Sequence, residues 1–175
     1  FEGLLKEVVG GKRLSQSKVK ELTDMSLSLM QVDTQLVSSL VRSHKEAHGS
    51  NKIQSLYVLD SLARAARRYS NKRALASDSP TGNAATFLVK LEAFLDDIFR
   101  DLLSIPAPEA KEKAKKIVDI WRKDQTFPAG VLARLMSVVK GEGAYHVQLM
   151  SFAKYMTTVL SNRFFFFTLP VVPSE

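Results

Sequence analysis

Residues 56–64 have the sequence LYVLDSLAR, and this stretch decides how the chain is expected to fold. At 3.6 residues per turn, its leucines and alanine fall on one broad apolar arc of a helix. The other side carries Tyr57, Asp60, Arg64 and Arg67 at i, i+3, i+7 and i+10. An aromatic ring, a carboxylate and two guanidinium groups along one line suit an extended peptide ligand. Because Asp60 is off the apolar arc, we expect its loss to weaken binding with little loss of fold.

The same helical period recurs along most of the chain, and no convincing strand alternation is present. The predicted helices cover residues 2–9, 15–31, 33–48, 50–69, 83–104, 108–124 and 128–140, with a further candidate at 144–161. Plausible N-cap residues support these starts: Ser15 or Ser17, Asp33, Ser50 and Asn83. The polar segment 70–82 is predicted to be a surface loop. The sequence therefore favours an all-α array.

Composition limits the classes of protein to which the chain can belong. Its 175 residues are 45% hydrophobic and 25% charged, which is typical of one globular domain. The absence of cysteine excludes disulfides and thiolate metal sites, and no uncharged apolar run is long enough for a membrane-spanning helix. The net charge is +7, and residues 1–75 hold 13 Lys or Arg against 7 Asp or Glu. This excess predicts an acidic partner, namely a phosphopeptide, a nucleic acid or an anionic membrane.

No motif of a known catalytic site is present. His44 and His48 have the i, i+4 spacing of a metal pair but lack the zinc-protease motif and a third ligand, so we expect two solvated histidines near a helix end. The glycines at 10–11 and 141–143 fit neither a P-loop nor a dinucleotide fingerprint. Asp96, Asp97 and Asp101 are expected on the exposed face of a helix. We therefore expect a protein without enzymatic activity and without a cofactor.

Two other groups of residues could bind an acidic ligand. Lys116, Ile120 and Lys123 share one face at i, i+4 and i+7, where Ile120 is either an apolar contact between two cations or the edge of the core. Four cations surround the start of the second predicted helix: Lys12, Arg13, Lys18 and Lys20. Cations at a helix N-terminus oppose the helix dipole, whereas a phosphate there would be stabilised by the dipole and by the cations. Ordinary surface basicity is the alternative.

Three segments in order resemble the CTD-interacting domains, also called CID or RPR domains. Residues 51–64 resemble the signature helix of the family, and residues 117–127, IVDIWRKDQTF, look like its penultimate helix with the characteristic Trp. Residues 14–23, LSQSKVKELT, are similar to the second helix of the fungal termination-factor branch. The resemblance covers roughly residues 1–140, and the insert at 70–82 also looks like that branch.

The resemblance implies a right-handed superhelical array of eight helices. It also implies that the chain binds phosphorylated YSPTSPS heptads of the C-terminal tail of the largest RNA polymerase II subunit, in a nuclear factor for transcription termination and RNA 3′-end processing. The implied groove residues are Tyr57, Asp60, Arg64, Ile120 and Lys123, with Asp60 accepting a hydrogen bond from the heptad tyrosine. The implied phosphate-binding residues are Lys12, Arg13, Ser15, Lys18 and Lys116. Lys116 replaces an Arg of some members, and a Lys cannot form the same bidentate contact.

Other interpretations remain at this point. A VHS- or ENTH-like trafficking adaptor would share the helix array and could use its basic residues on anionic lipid, although the CID resemblance predicts no membrane partner. RNA contacts are expected only as auxiliary ones or through other parts of a longer protein, of which this chain, starting at Phe1, is expected to be a fragment.

We divide the chain into a domain at 1–140 and an extension at 141–175. The Phe run at 164–167 either docks onto the domain or translates a retained intron.

Overall fold

The structure is a computed structural model that describes residues 1–142. These residues form eight α-helices, a short 3-10 turn at Met30–Val32 and no strand. The helices are α1 (Glu2–Gly10), α2 (Gln16–Ser28), α3 (Asp33–Glu46), α4 (Ser50–Arg73), α5 (Ala84–Glu92), α6 (Leu95–Leu103), α7 (Pro108–Lys123) and α8 (Ala129–Lys140). The predicted all-α class is confirmed. The candidate helix at 144–161 and the Phe run lie outside the described residues.

Helix α4 is the centre of the domain, as the apolar arc of residues 56–64 predicts. Leu56, Leu59 and Leu62 are buried, and α4 packs against α1, α2, α3, α5 and α7. Burying such a leucine contributes about 1.5–3 kcal/mol relative to leaving it exposed. None of the helices within residues 1–142 is long and apolar enough to cross a membrane.

The predicted helix at 83–104 is wrong in one respect, because the chain bends at Ala93-Phe94 and forms two helices. Helix α5 packs on α3 and α4, whereas α6 packs mainly on α8 and also on α3 and α7. One straight helix cannot face both sets of partners, so tertiary packing divides it although no Gly or Pro marks the bend. The predicted helix at 15–31 similarly ends at Ser28, before the 3-10 turn.

Helix starts agree with the N-cap prediction in part. Asn83 forms a capping box, since its side chain accepts from the backbone of Ala85 and Thr86 while the Thr86 hydroxyl accepts from the Asn83 N–H. Ser15 is the N-cap residue of α2 but makes no side-chain capping bond. Asp33 and Ser50 are not caps, because each is the first residue inside its helix.

The expectation of two solvated histidines is wrong for His44. Its side chain is 1% exposed, and its Nε2 donates to the Ile98 carbonyl at 3.1 Å while Nδ1 lies 2.6 Å from the Ser55 hydroxyl. Burial lowers the pKa of His44 to about 4, so the imidazole is neutral near pH 7. His48 is exposed and follows the end of α3 at Glu46. The two histidines therefore do not share a helix.

Acidic residues on α6 are also less solvated than predicted. Asp101 accepts from the Lys52 ammonium at 2.5 Å, which links α6 to α4 beside His44. Asp96 accepts from Arg134 Nε at 2.7 Å, which links α6 to α8. These carboxylates hold helices together and are not simply the exposed face of α6.

Candidate binding site

An open groove with a volume of about 960 Å³ lies between α2 and α4. From α2 and the residue before its cap it is lined by Leu14, Gln16, Val19, Lys20, Thr23, Asp24 and Leu27, and from α4 by Tyr57, Asp60, Ser61, Arg64, Ala65, Arg68, Tyr69 and Lys72. We call this surface the α2–α4 groove. Its apolar floor and polar, mostly basic rim provide both the packing surface and the charge that an acidic peptide requires.

The two helices run in the same direction along the groove. At one end, the Gln54 amide donates to the Gly11 carbonyl at 2.9 Å, which joins the start of α4 to the segment before α2. At the other end, Gly82 in the segment after α4 lies against the backbone of Met30 and Gln31, just after α2. The groove therefore has a Tyr57 end, beside the basic segment before α2, and a Lys72 end.

Asp60 is more buried than its position off the apolar arc predicts. It is 5% exposed, and its Oδ1 accepts from Trp121 Nε1 at 2.8 Å and from Arg64 Nε at 2.9 Å, while Oδ2 accepts from an Arg64 terminal nitrogen at 2.8 Å. The hydrogen bond and charge of Asp60 raise the pKa of Arg64. Asp60 thus connects α4 to the buried Trp of α7, and these contacts argue against the expectation that its loss would leave the fold nearly unchanged.

Arg67 is predicted on the same stripe as Tyr57 but does not line the groove. Its Nε donates to the Thr126 carbonyl at 2.9 Å, on the other side of α4. The groove instead contains Ser61, Arg68 and Lys72, which are not part of the predicted stripe. The i, i+4, i+7, i+11 and i+15 spacing of residues 57, 61, 64, 68 and 72 is the sequence signal that identifies this face.

The second predicted stripe lies in a separate depression of about 440 Å³ on α7, lined by Glu112, Lys115, Lys116, Asp119, Ile120 and Lys123. We call it the α7 depression. Ile120 is partly exposed there, while the neighbouring Trp121 is fully buried. The structure brings this helix close to the α2–α4 groove at Arg64, whose guanidinium lies 3.9 Å from the Asp124 carboxylate just after α7.

The basic segment before α2 contains both paired and unpaired cations. Lys18 forms an ion pair with Glu7 of α1, so part of the charge at this helix start is already balanced. Lys12 and Arg13 are exposed and have no ion-pair partner among the residues that the structure describes. The Ser15 and Ser17 hydroxyls lie 3.0 Å apart at the end of this segment. The available anion-binding groups here are therefore Lys12, Arg13 and the serine hydroxyls.

Comparison with known proteins identifies the family. The model of the CID domain family matches residues 1–135. The chain belongs to the CID family. The all-α superhelical fold implied by the sequence resemblance is thereby confirmed, and so is the similarity to the fungal CID proteins.

Among known relatives, Rpb7-binding protein seb1 of Schizosaccharomyces pombe is 29% identical over 144 residues. That match covers 80% of this chain but only 23% of seb1, so the chain spans about a quarter of that relative. The solved CTD-interacting domain of Seb1 from S. pombe is 28% identical with a TM-score of 0.74, covering 82% of this chain and 95% of that one. The yeast Nrd1 CID in complex with Sen1 NIM1 is 25% identical with a TM-score of 0.68, covering 77% and 93%.

Proposed function

We propose that this CID domain is a non-catalytic module that binds phosphorylated YSPTSPS heptads of the RNA polymerase II C-terminal tail, in a nuclear factor for transcription termination and RNA 3′-end processing. The observation that carries the proposal is the α2–α4 groove with the Asp60 carboxylate at its wall. The family supports a tail-binding role, and the Nrd1 relative has been solved with a segment of another protein.

The remaining acceptor capacity of Asp60 suits a tyrosine hydroxyl. A carboxylate offers about four lone-pair positions. Trp121 and Arg64 occupy both positions on Oδ1 and one on Oδ2. The last position, on Oδ2, can accept the O–H of a heptad tyrosine whose ring packs near Tyr57. A carboxylate is a charged acceptor, and a charged acceptor makes a stronger hydrogen bond than a neutral one.

Phosphate selectivity would come from the exposed cations around the groove. Lys12 and Arg13 lie at its Tyr57 end, and Lys116 lies in the α7 depression with Ile120 as an apolar contact. A phosphate carries nearly two negative charges and three acceptor oxygens near pH 7, so a few such contacts favour the modified peptide. No cofactor is needed for this kind of binding.

Titration of fluorescent heptad peptides by anisotropy tests the proposal. Fourteen-residue peptides that are unmodified or carry one phosphoserine at the second or fifth position are compared on residues 1–175. At least one phosphorylated peptide should bind about fivefold or more tightly than the unmodified one. Equal and negligible affinity for all peptides would contradict the proposal.

A negative charge added to the groove tests whether the peptide binds there. Ser61→Glu adds a carboxylate to the α2–α4 groove and should weaken binding of the phosphorylated peptide by about tenfold. Ser38→Glu adds the same charge to an exposed position of α3 outside the groove and should leave the affinity within about twofold. Equal effects of the two substitutions would place the peptide elsewhere.

A further inference from the structure

The Lys72 end of the α2–α4 groove carries two cations that have no role among the heptad contacts proposed for Asp60, Lys12, Arg13 and Lys116. Arg68 and Lys72 line the groove, are exposed and have no carboxylate partner within the described residues 1–142. Other basic side chains of the groove are paired, since Lys20 binds Asp24 at 2.5 Å and Arg64 binds Asp60 at 2.8 Å. The unpaired positive charge in this groove is therefore concentrated at its Lys72 end.

The stability of α4 does not explain the presence of a cation at position 68. Cations in a last helical turn are stabilised by the helix dipole, and Lys72 and Arg73 satisfy that role where α4 ends. Arg68 lies a full turn earlier, and like charges at i, i+4 disfavour a helix. Arg73 stacks over the Tyr69 ring at 4.4 Å and is not among the residues that line the groove, whereas Arg68 and Lys72 both line it. Such a pair is favoured when an anion lies between the two side chains.

The length of the groove matches the spacing of repeated phosphates. Tyr57 and Lys72 are fifteen residues apart on one helix, which is about 22 Å at 1.5 Å per residue. The basic residues Lys12 and Arg13 lie beyond the Tyr57 end. Equivalent serines of adjacent heptads are seven residues apart, which is about 23 Å in an extended chain. One phosphate can therefore lie at each end of the groove.

We propose that the α2–α4 groove binds two adjacent heptads at once, with Arg68 and Lys72 holding a phosphoserine of one repeat while the neighbouring repeat occupies the Tyr57 end. This inference rests on the proposed function and adds a second anion subsite to it. The second contact forms within an already bound peptide, so it raises the affinity through a high effective concentration and requires no new encounter. The structure thus selects for consecutive phosphorylated repeats over an isolated one.

A phosphopeptide fits this surface better than a nucleic acid strand. The wall between the two cationic ends contains the carboxylates of Asp24 and Asp60 and the apolar side chains of Val19 and Leu27. These carboxylates balance the charges of Lys20 and Arg64, so a strand with a phosphate at every nucleotide would find no net positive charge along that wall. A heptad peptide has apolar and uncharged residues between its phosphates and needs no unpaired cation there.

The test measures the gain in affinity from a second phosphate. Two-repeat peptides with one phosphoserine or with the same serine phosphorylated in both repeats are titrated on residues 1–175. The wild-type chain should bind the doubly phosphorylated peptide about fivefold more tightly than the better singly phosphorylated one. Arg68→Gln with Lys72→Gln should abolish that gain, so that the doubly and the better singly phosphorylated peptide bind this variant within about twofold of each other.

The matched control is Lys6→Gln with Lys111→Gln, which changes two exposed lysines of α1 and α7 outside the groove and lowers the net charge of +7 by the same two units. The gain should persist in this control. Wild-type binding without any gain from the second phosphate would overturn this inference alone, whereas failure of every peptide to bind would overturn the proposed function as well. Single-stranded RNA that competes as well as the peptide, and does so only when Arg68 and Lys72 are present, would also overturn it.

Discussion

Asp60 has two roles at the scale of a single residue, because the same carboxylate lines the groove and accepts the Trp121 indole N–H. Asp60→Ala should lower the free energy of unfolding by about 2–4 kcal/mol, since it leaves a buried donor and most of the Arg64 charge without a partner. Asp60→Asn retains an oxygen for the indole and should lose less. Urea denaturation monitored by the fluorescence of Trp121 measures both values. An alanine variant as stable as the wild type would show that this carboxylate has no structural role.

Neutral, buried His44 predicts a pH dependence of stability. The pKa of His44 is about 4 in the folded chain against about 6.5 when unfolded, because burial disfavours the imidazolium despite Asp101. The unfolded state therefore binds more protons between pH 6.5 and 4. The neutral imidazole of His44 thus contributes about 3 kcal/mol to the free energy of unfolding. This contribution is fully present above pH 6.5 and is lost as the pH falls towards 4.

Thermal or urea unfolding between pH 7 and 4 measures this contribution, with His44→Gln as the comparison. The variant should be less stable than the wild type at pH 7 and should lose less stability on acidification. Parallel stability curves for the two proteins would show that His44 does not cause the pH dependence.

At the scale of secondary structure elements, Gly82 controls how closely the segment before α5 approaches the end of α2. A Cβ at this position would lie 2.6 Å from the Gln31 carbonyl oxygen and 2.8 Å from that of Met30. Since both neighbours are backbone atoms, Gly82→Ala should destabilise the fold by about 1–3 kcal/mol in thermal unfolding. Gly130→Ala is the matched control, because nothing lies within 4 Å of its Cβ and alanine should stabilise α8 by up to about 1 kcal/mol. Equal effects would refute the proposed crowding at Gly82.

Helix positions are the part of this fold that the sequence predicts well. Apolar periodicity locates α1, α3, α4, α7 and α8 to within a few residues, and Asn83 marks the start of α5 through its capping box. The bend at Ala93-Phe94 could not be predicted, because it depends on which helices α5 and α6 pack against. The 3-10 turn after α2 similarly has no Gly or Pro to mark it.

At the scale of the whole molecule, residues distant in sequence decide the properties of the site. Trp121 lies 61 positions from Asp60, and Ile98 lies 54 positions from His44. The burial of Asp60 and His44 depends on these distant residues, so the helical period of the sequence does not predict it. The sequence does predict that Tyr57, Asp60 and Arg64 belong to one surface, which the α2–α4 groove contains. The pairing of Lys18 with Glu7 depends on the packing of α1 against α2 and could not be inferred from the basic segment alone.

The single Trp of the chain allows a direct test of the central claim that a heptad tyrosine binds at Asp60 in the α2–α4 groove. Trp121 Nε1–H donates to Asp60 Oδ1, so its indole signal in a ¹H–¹⁵N correlation spectrum reports on that carboxylate. Titration with a phosphorylated heptad peptide should shift this signal together with the amides of Tyr57, Ser61 and Arg64, and a peptide with Phe in place of Tyr should shift the indole signal much less. Binding that leaves the indole signal unchanged, or that shifts it equally with the Phe peptide, would contradict the claim.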